Sequence, residues 1–326
     1  MSRITAKELS KLIDGVCSHP LIEVDNTSSI SSANKTSVSF YTDKKYKEEL
    51  KSSKAGLMIL READLVDWSG PSIIVKDPHL AFALTANFLI KKIYFSPFIH
   101  ASVIVGENTK LDKNTQIAPF VSLSENVVIK ELVCIGANTT IGSNVSIGKG
   151  TKIHSNVTIG NDVRIGANCE IFSGAVVGVD GFGYAQANDE KWVKIPQTGS
   201  VIIGDDVDIG ANTCIDRGAI DDTIIMSGVK IDNLVQIGHN CIVNENTVIA
   251  GCVGIAGSAV IGKNCKIGGA AMILGHLSIA DNTTISPGTM ITKSINKAGK
   301  RYTSIIPFLE HSNWLRFAAN IKKQDK

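Results

Sequence analysis

Seven histidines are spread along the 326 residues, and two of them are placed to share one piece of chemistry. His239 follows Ile237 by two residues and His276 follows Ile273 by three. Both isoleucines belong to a six-residue repeat, described next, in which the 36 residues between them make two whole coils. The two histidines therefore leave one face with about 9–10 Å between their backbones. Such a pair indicates a site in preference to two unrelated solvated rings. Zinc binding asks for nitrogens at about 2.0 Å from the metal, hence little more than ~3 Å from each other. Side chains two coils apart meet that poorly, and no His-x-x-x-x-His pair occurs, so no metal is assigned. Cys241 offers a thiol two residues after His239, yet it falls at an inward position that Cys169 and Cys265 also occupy, a place for core packing. Gly178-Val179-Asp180-Gly181-Phe182-Gly183 is glycine-rich but follows no βα unit, which argues against a nucleotide-phosphate loop.

The element that positions these residues is legible as a repeat. From Ile99, each sixth residue through Val177 is a branched aliphatic, including Ile117, Ile135, Ile153 and Ile171. The pattern restarts at Ile203, Ile209 and Ile215, slips by four residues, and runs from Ile225 to Ile291. Two residues before each of these stands a small or β-branched residue such as Val121, Thr139, Val157 or Cys169. Inward residues at spacing two describe a short strand with one buried face. The remaining positions are rich in Gly, Asn, Asp, Lys and Ser, which suit turns. A period of six is too short for a repeat containing a helix, so the expectation is a hexapeptide β-helix. Three strands per coil would form a triangular prism rising about 4.8 Å for each 18 residues.

Two segments interrupt the repeat. One runs from Val179 through Trp192 to Gln197, and the other, Asp216 to Thr223, produces the slip by four. Loops that leave a rigid solenoid commonly carry function. Residues 1–97 do not keep the period. There Thr5-Ala6-Lys7-Glu8 reads as a capping box for a helix ending near Gly15. Val38–Phe40, Leu57–Leu60 and Ile73–Val75 read as strands, with helices near Tyr46–Ser53 and His79–Lys92, together a small α/β domain. The prism then spans 98–296. After Ile306-Pro307, the extension 297–326 carries a helical tail with Trp314, Leu315, Phe317 and Ile321. Lys300, Arg301, Arg316, Lys322 and Lys323 give it a basic surface.

Composition bounds the function. With 33 Lys+Arg against 31 Asp+Glu, nothing electrostatic points to nucleic acid or to an anionic lipid surface. No apolar run approaches the roughly 18–20 residues that span a bilayer. The first eight residues lack the apolar stretch of a secretory signal. Seven cysteines cannot all pair, and none forms Cys-x-x-Cys, so reduced thiols in a cytoplasmic protein are expected.

The repeat resembles the left-handed parallel β-helix of the hexapeptide-repeat acyltransferases. That hand comes from the resemblance, and it runs against the usual right-handed crossover. More specific stretches are Gly181-Phe182-Gly183, Lys194-Ile195-Pro196-Gln197, Ile215-Asp216-Arg217-Gly218-Ala219, Gln236-Ile237-Gly238-His239-Asn240 and Gly254-Ile255-Ala256-Gly257-Ser258. With Ser39-Phe40 and Lys45-Tyr46, they make nearly the whole chain similar to the UDP-3-O-acylglucosamine N-acyltransferase family of lipid A biosynthesis. The resemblance implies a mainly β fold and a homotrimer with sites in the grooves between prisms. It also implies transfer of a 3-hydroxyacyl group from acyl carrier protein to the 2-amine of the UDP-sugar. No resident cofactor is implied, the acyl-phosphopantetheine being a co-substrate. His239 would be the general base, since a neutral imidazole can accept the amine proton. The Gly257 N–H would hold the oxyanion. His276 would lie near the thioester or hydroxyacyl group, Asp232, Gln236 and Asn240 would orient the base or the sugar, and Met290 would measure the acyl chain. Phe40 and Tyr46 would sandwich uracil. Where the family has Asn-Pro before Lys-Tyr, this chain has Asp43-Lys44. The basic tail suits an acidic carrier protein. A sister O-acyltransferase acting on UDP-N-acetylglucosamine, and a hexapeptide scaffold without catalysis, are the alternatives.

Overall fold

Short strands, most of two residues, recur every six residues from Phe98–Ile99 to Met290–Ile291 except at two insertions, and away from these and from the last coil each pairs in parallel with the strand 18 residues further on. This is a computed structural model describing residues 3–90, 95–304 and 308–324. By contact the chain divides into two compact units, 1–94 and 95–326.

The larger unit is a three-faced prism. The first face has eleven strands, beginning with Phe98–Ile99 and including Arg301–Tyr302; the second has ten, beginning with Ile104–Val105; the third has nine, beginning with Lys110–Leu111. The repeat isoleucines stack into a single core with almost no exposure from Ile117 to Ile285. Burying each contributes roughly 1.5–3 kcal/mol relative to leaving it in water. The smaller residue two places earlier fills the corner. Where it is threonine, the hydroxyl is satisfied between coils. Thr151 Oγ1 donates to Gly166 O at 2.8 Å and accepts from Cys169 N at 3.1 Å, and Thr247 repeats the pattern with Gly262 O and Cys265 N.

Sharp corners demand a left-handed backbone residue three places after most repeat positions. Asn and Asp, with Gly150, Gly174, Gly228 and Gly288, supply most of them, as their tolerance of that region predicts. Phe120, Leu132, Leu234, Cys252 and Ala270 adopt the same φ, near 60°, without that advantage.

Both interruptions of the repeat are insertions that leave the pairing intact. Ile165 pairs with Ile203, and between them the coil continues through Glu170–Ile171 and Val176–Val179 before the chain is extruded as a hairpin of Tyr184–Gln186 and Trp192–Lys194. Ile203 pairs with Ile225, so the turn around Gly218 absorbs the slip by four.

The smaller unit has a five-stranded sheet in the order Val16–Cys17, Ser72–Ile74, Leu57–Leu60, Ser37–Phe40, Asn26–Thr27, parallel except for the first pair. Alternation along Leu57–Leu60 divides the interior. Leu57 and Ile59 join a core with Leu9 and Leu89, while Met58 and Leu60 join one with Tyr41 and Leu50. Helix α1 (Ala6–Leu12) starts with the expected capping box at Thr5 and Glu8 but stops before Gly15. Asp14 turns left-handed at φ 49°, and Gly15 N–H closes back on Ser10 O at 2.8 Å, a Schellman-type ending. Helix α2 (Lys47–Ser52) follows a 3-10 turn at Lys44–Tyr46, and α3 (Pro78–Leu89) has its N-cap at Asp77. Helix α4 (His311–Gln324) forms the tail, with Trp314, Leu315, Phe317 and Ile321 exposed. Ile306 and Pro307 lie outside the described residues, as do the side chains of Lys322 and Lys323. Among the described residues no helix is long and apolar enough to cross a membrane.

Candidate functional site

His239 sits in the turn between the second-face strand Gln236–Ile237 and the third-face strand Ile242–Val243. Its Nδ1 lies 2.9 Å from Asn240 Oδ1. The opposite edge of the ring faces Gly257 one coil on, where a Cβ would lie 2.7 Å from Nε2. Only glycine leaves room there. The extruded loop reaches the same ring, since a Cβ on Gly181 would lie 3.2 Å from His239 Cδ2 and 3.4 Å from Gln197 Oε1. That Gln197 oxygen is buried without a hydrogen-bond partner among the described residues, while its Nε2 donates to Ile195 O at 3.0 Å.

Gly257 also offers a free donor. At comparable turns, the N–H two residues after the repeat position donates to an Asn or Asp side chain one coil on. Ser143 donates to Asn161, Ala211 to Asn233 and Lys263 to Asp281. One coil beyond Gly257 stands Gly275, which has no side chain, and among the described residues the Gly257 N–H has no protein acceptor. A bare donor beside an imidazole nitrogen is the geometry that a developing oxyanion and a proton transfer need.

Asp216 is the charged neighbour of this histidine. Burial holds its carboxyl above the usual carboxylate range, while a hydrogen bond with Gln236 and the nearby His239 pull the other way. Folding therefore disfavours its charged form, and the penalty is full above its folded pKa, fades as pH falls through that value, and is gone below the unfolded value near 3.9. Asp216→Asn is expected to melt a few degrees higher than the parent at pH 7, with the difference closing toward pH 3 in paired thermal scans.

The other anticipated residues divide by location. Gln236, Met272 and Met290 stand at successive outward positions of the second face, with Gly254 between Gln236 and Met272. His276 lies two coils beyond His239 at the same corner, and its N–H donates to Gly257 O at 3.0 Å. Asp232 lies at the preceding corner. Its oxygens accept from Asn233 N and Gly251 N, so in this chain it caps a turn. In the smaller unit Phe40 and Tyr46 line a cavity of about 290 Å³ with Ser29, Ile30, Ser39 and Glu49. Phe40 stacks on Phe82 at 4.3 Å, and Ser39 Oγ is buried without a hydrogen-bond partner among the described residues. Asp43 Oδ1 accepts from Lys45 N and Oδ2 pairs with Lys45 Nζ, which commits that carboxylate locally.

Cys169, Cys241 and Cys265 are all buried in the prism core, and burial pushes the Cys241 thiol up to about 11. It is a packing residue with almost no thiolate near neutrality. Asp216, Gln197 and Gly181 escaped the reading of the sequence as individual site residues. Both segments were visible as breaks in the repeat, but which of their side chains turn toward His239 was not.

Comparison with known proteins decides the family. A UDP-3-O-acylglucosamine N-acyltransferase of Dechloromonas aromatica is 50% identical over 93% of this chain and 86% of its own. The protein of the same name from Methylobacillus flagellatus is 48% identical over 92% of this chain and 85% of its own. The chain belongs to the UDP-3-O-acylglucosamine N-acyltransferase family. It is thus an N-acyltransferase, and residues 22–88 match the family model described as UDP-3-O-(3-hydroxymyristoyl) glucosamine N-acyltransferase, LpxD. Bacterial transferase hexapeptide repeats match at 138–173 and 258–293. Among solved structures, LpxA from Acinetobacter baumannii is 28% identical with a TM-score of 0.50, covering 68% of this chain and 77% of that one. A UDP-N-acetylglucosamine acyltransferase of Arabidopsis, 20% identical, reaches 0.56 over the same shares and bears on the fold alone. The prism of this chain is the left-handed parallel β-helix of that group, mainly β, with a helical tail.

Proposed function

We propose that the chain transfers a 3-hydroxyacyl group from the phosphopantetheine thioester of acyl carrier protein to the 2-amine of UDP-3-O-acylglucosamine, within lipid A biosynthesis. The observation that carries the mechanism is the placement of His239 Nε2 beside Gly257, whose N–H is unengaged among the described residues. His239 has its Nδ1 occupied by Asn240 and turns Nε2 toward Gly257. The amine nitrogen attacks the thioester carbon, and its proton passes to Nε2 as the N–C bond forms. The oxyanion is held by Gly257 N–H. Collapse breaks the C–S bond, and the thiolate takes the proton back from the imidazolium, giving amide and free thiol. A thioester is already activated, so direct attack needs neither an acyl-enzyme nor a resident cofactor. The buried Cys241, with its raised pKa, accords with that.

His276, two coils from the base, is assigned to the thioester or hydroxyacyl end. Gln236 orients the base through Asp216, Asp232 is assigned to the sugar, and Met290 to gauging acyl length along the outward second face. The smaller unit takes the uracil ring between Phe40 and Tyr46. The working form is a cytoplasmic homotrimer that docks acyl carrier protein on basic surface including Lys300, Arg301 and Arg316. Transfer of radiolabelled 3-hydroxyacyl chains of several lengths to the UDP-sugar tests the reading, and inactivity at every length rejects it. Phe40→Ala is expected to raise KM for the UDP-sugar about tenfold with little change in kcat, the scale of one base–aromatic stack. A loss confined to kcat would remove uracil from that cavity.

A further inference from the structure

We propose that the lengthened turn Asp216–Thr223 is a tautomer lock, clamping Asn240 so that His239 carries its proton on Nδ1 and presents a bare Nε2. Three groups of this turn seize Asn240. Its Oδ1 accepts from Ala219 N at 3.0 Å, its Nδ2 donates to Asp221 O at 2.7 Å, and its own N–H donates to Thr223 Oγ1 at 2.8 Å. Ala219 N–H can only donate and Asp221 C=O can only accept, so the carboxamide has one permitted orientation. That orientation sets Oδ1, which is only an acceptor, against His239 Nδ1 at 2.9 Å. Nδ1 must then hold the hydrogen. In the other tautomer two lone pairs would face each other. A free histidine side chain in water favours that other form, with the proton on Nε2, which cannot accept from an amine.

The clamp depends on the insertion rather than on the repeat. Ser258 and His276 occupy the same left-handed corner position as Asn240, one and two coils further on, but only the Asn240 coil abuts a turn lengthened by four residues. Space for the Asp221 carbonyl comes from two glycines. A Cβ on Gly218 would lie 1.6 Å from Asp221 O and 3.0 Å from Asn240 Nδ2, and one on Gly199 would lie 2.4 Å from Asp221 O. Around His239, the preceding coil presents Asp216 as the charged group. Gly181 and Gln197 of the loop and Gly257 of the following coil cannot titrate. The proton position therefore follows from Asn240. On this basis Ala219, Asp221, Thr223 and Gly218 position the base without touching substrate.

This inference rests on His239 being the base, and the two are separable. Full-length protein with 15N-labelled histidine, its His239 signals assigned by their loss in His239→Gln, reports the tautomer through two-bond 1H–15N correlations with no substrate present. The expected spectrum at pH 8 is Nδ1–H. Gly218→Ala, which displaces the Asp221 carbonyl, is expected to move His239 mainly to Nε2–H and to lower kcat/KM at least tenfold. Asn240→Ala should shift the tautomer in the same way, and it serves if Gly218→Ala does not fold. Nε2–H in the parent protein, or an unchanged tautomer in both variants, overturns the lock whatever the activity. Retention of activity in His239→Ala would instead overturn the reading of the base and leave the spectrum to stand for itself.

Discussion

His239→Ala is expected to lower kcat by about 10²–10⁴-fold, the range contributed by a positioned general base. The ring is not part of the prism core, whose inward positions here are Ile237 and Cys241, so thermal stability should change little. What the variant loses is the acceptor for the amine proton, and without it the attacking nitrogen would carry a positive charge into the tetrahedral intermediate. One signature should accompany the loss. KM for the UDP-sugar should move far less than kcat, because the ring acts on the reacting nitrogen. Full activity in a folded His239→Ala protein would move the base elsewhere, with His276 next in line.

Gly257→Ala is expected to lower kcat by roughly 10²–10³-fold, comparable to removing one oxyanion donor. The physical reason is steric and local. A methyl at this position would lie 2.7 Å from His239 Nε2 and 2.8 Å from Cε1, so the imidazole must swing away or the Gly257 backbone must shift. Either movement separates the base from the donor N–H. Gly257 carries no positive φ, so the cost is in space and not in backbone conformation. The coil should survive, because Ser258 N–H still closes on His239 O and His276 N–H on Gly257 O. A crystal structure of the variant showing the ring displaced would account for the loss. An unmoved ring with undiminished turnover would show that the site tolerates the methyl and that the oxyanion is held by another group.

The insertion at Asp216–Thr223 illustrates where reading along the chain stops. Its existence was plain, because the repeat slipped by four between Ile215 and Ile225, and the pairing of Ile203 with Ile225 bears that out. Its purpose was not. Asn240 follows Thr223 by 17 residues and Asp221 by 19, and only the stacking of coils brings them within 3 Å. Asp232 shows the reverse case. It stands seven residues from His239 in a stretch that reads as one motif, yet the prism places it at another corner, capping a turn.

What the sequence by itself determined is the prism, since inward residues at period six must bury one face and each coil repeats the last. The same period placed His239 and His276 on one corner two coils apart, and put Cys241 in the core. Tertiary structure alone decided which groups meet the imidazole: Gly257 from the next coil, Gly181 and Gln197 from an extruded loop, Asp216 and the Asn240 clamp from a lengthened turn. The division has one cause. Hydrophobic burial is periodic and non-directional, so it leaves its mark on composition at fixed spacing. A catalytic contact depends on the direction of a few hydrogen bonds between segments that the chain holds far apart, and spacing does not encode that direction.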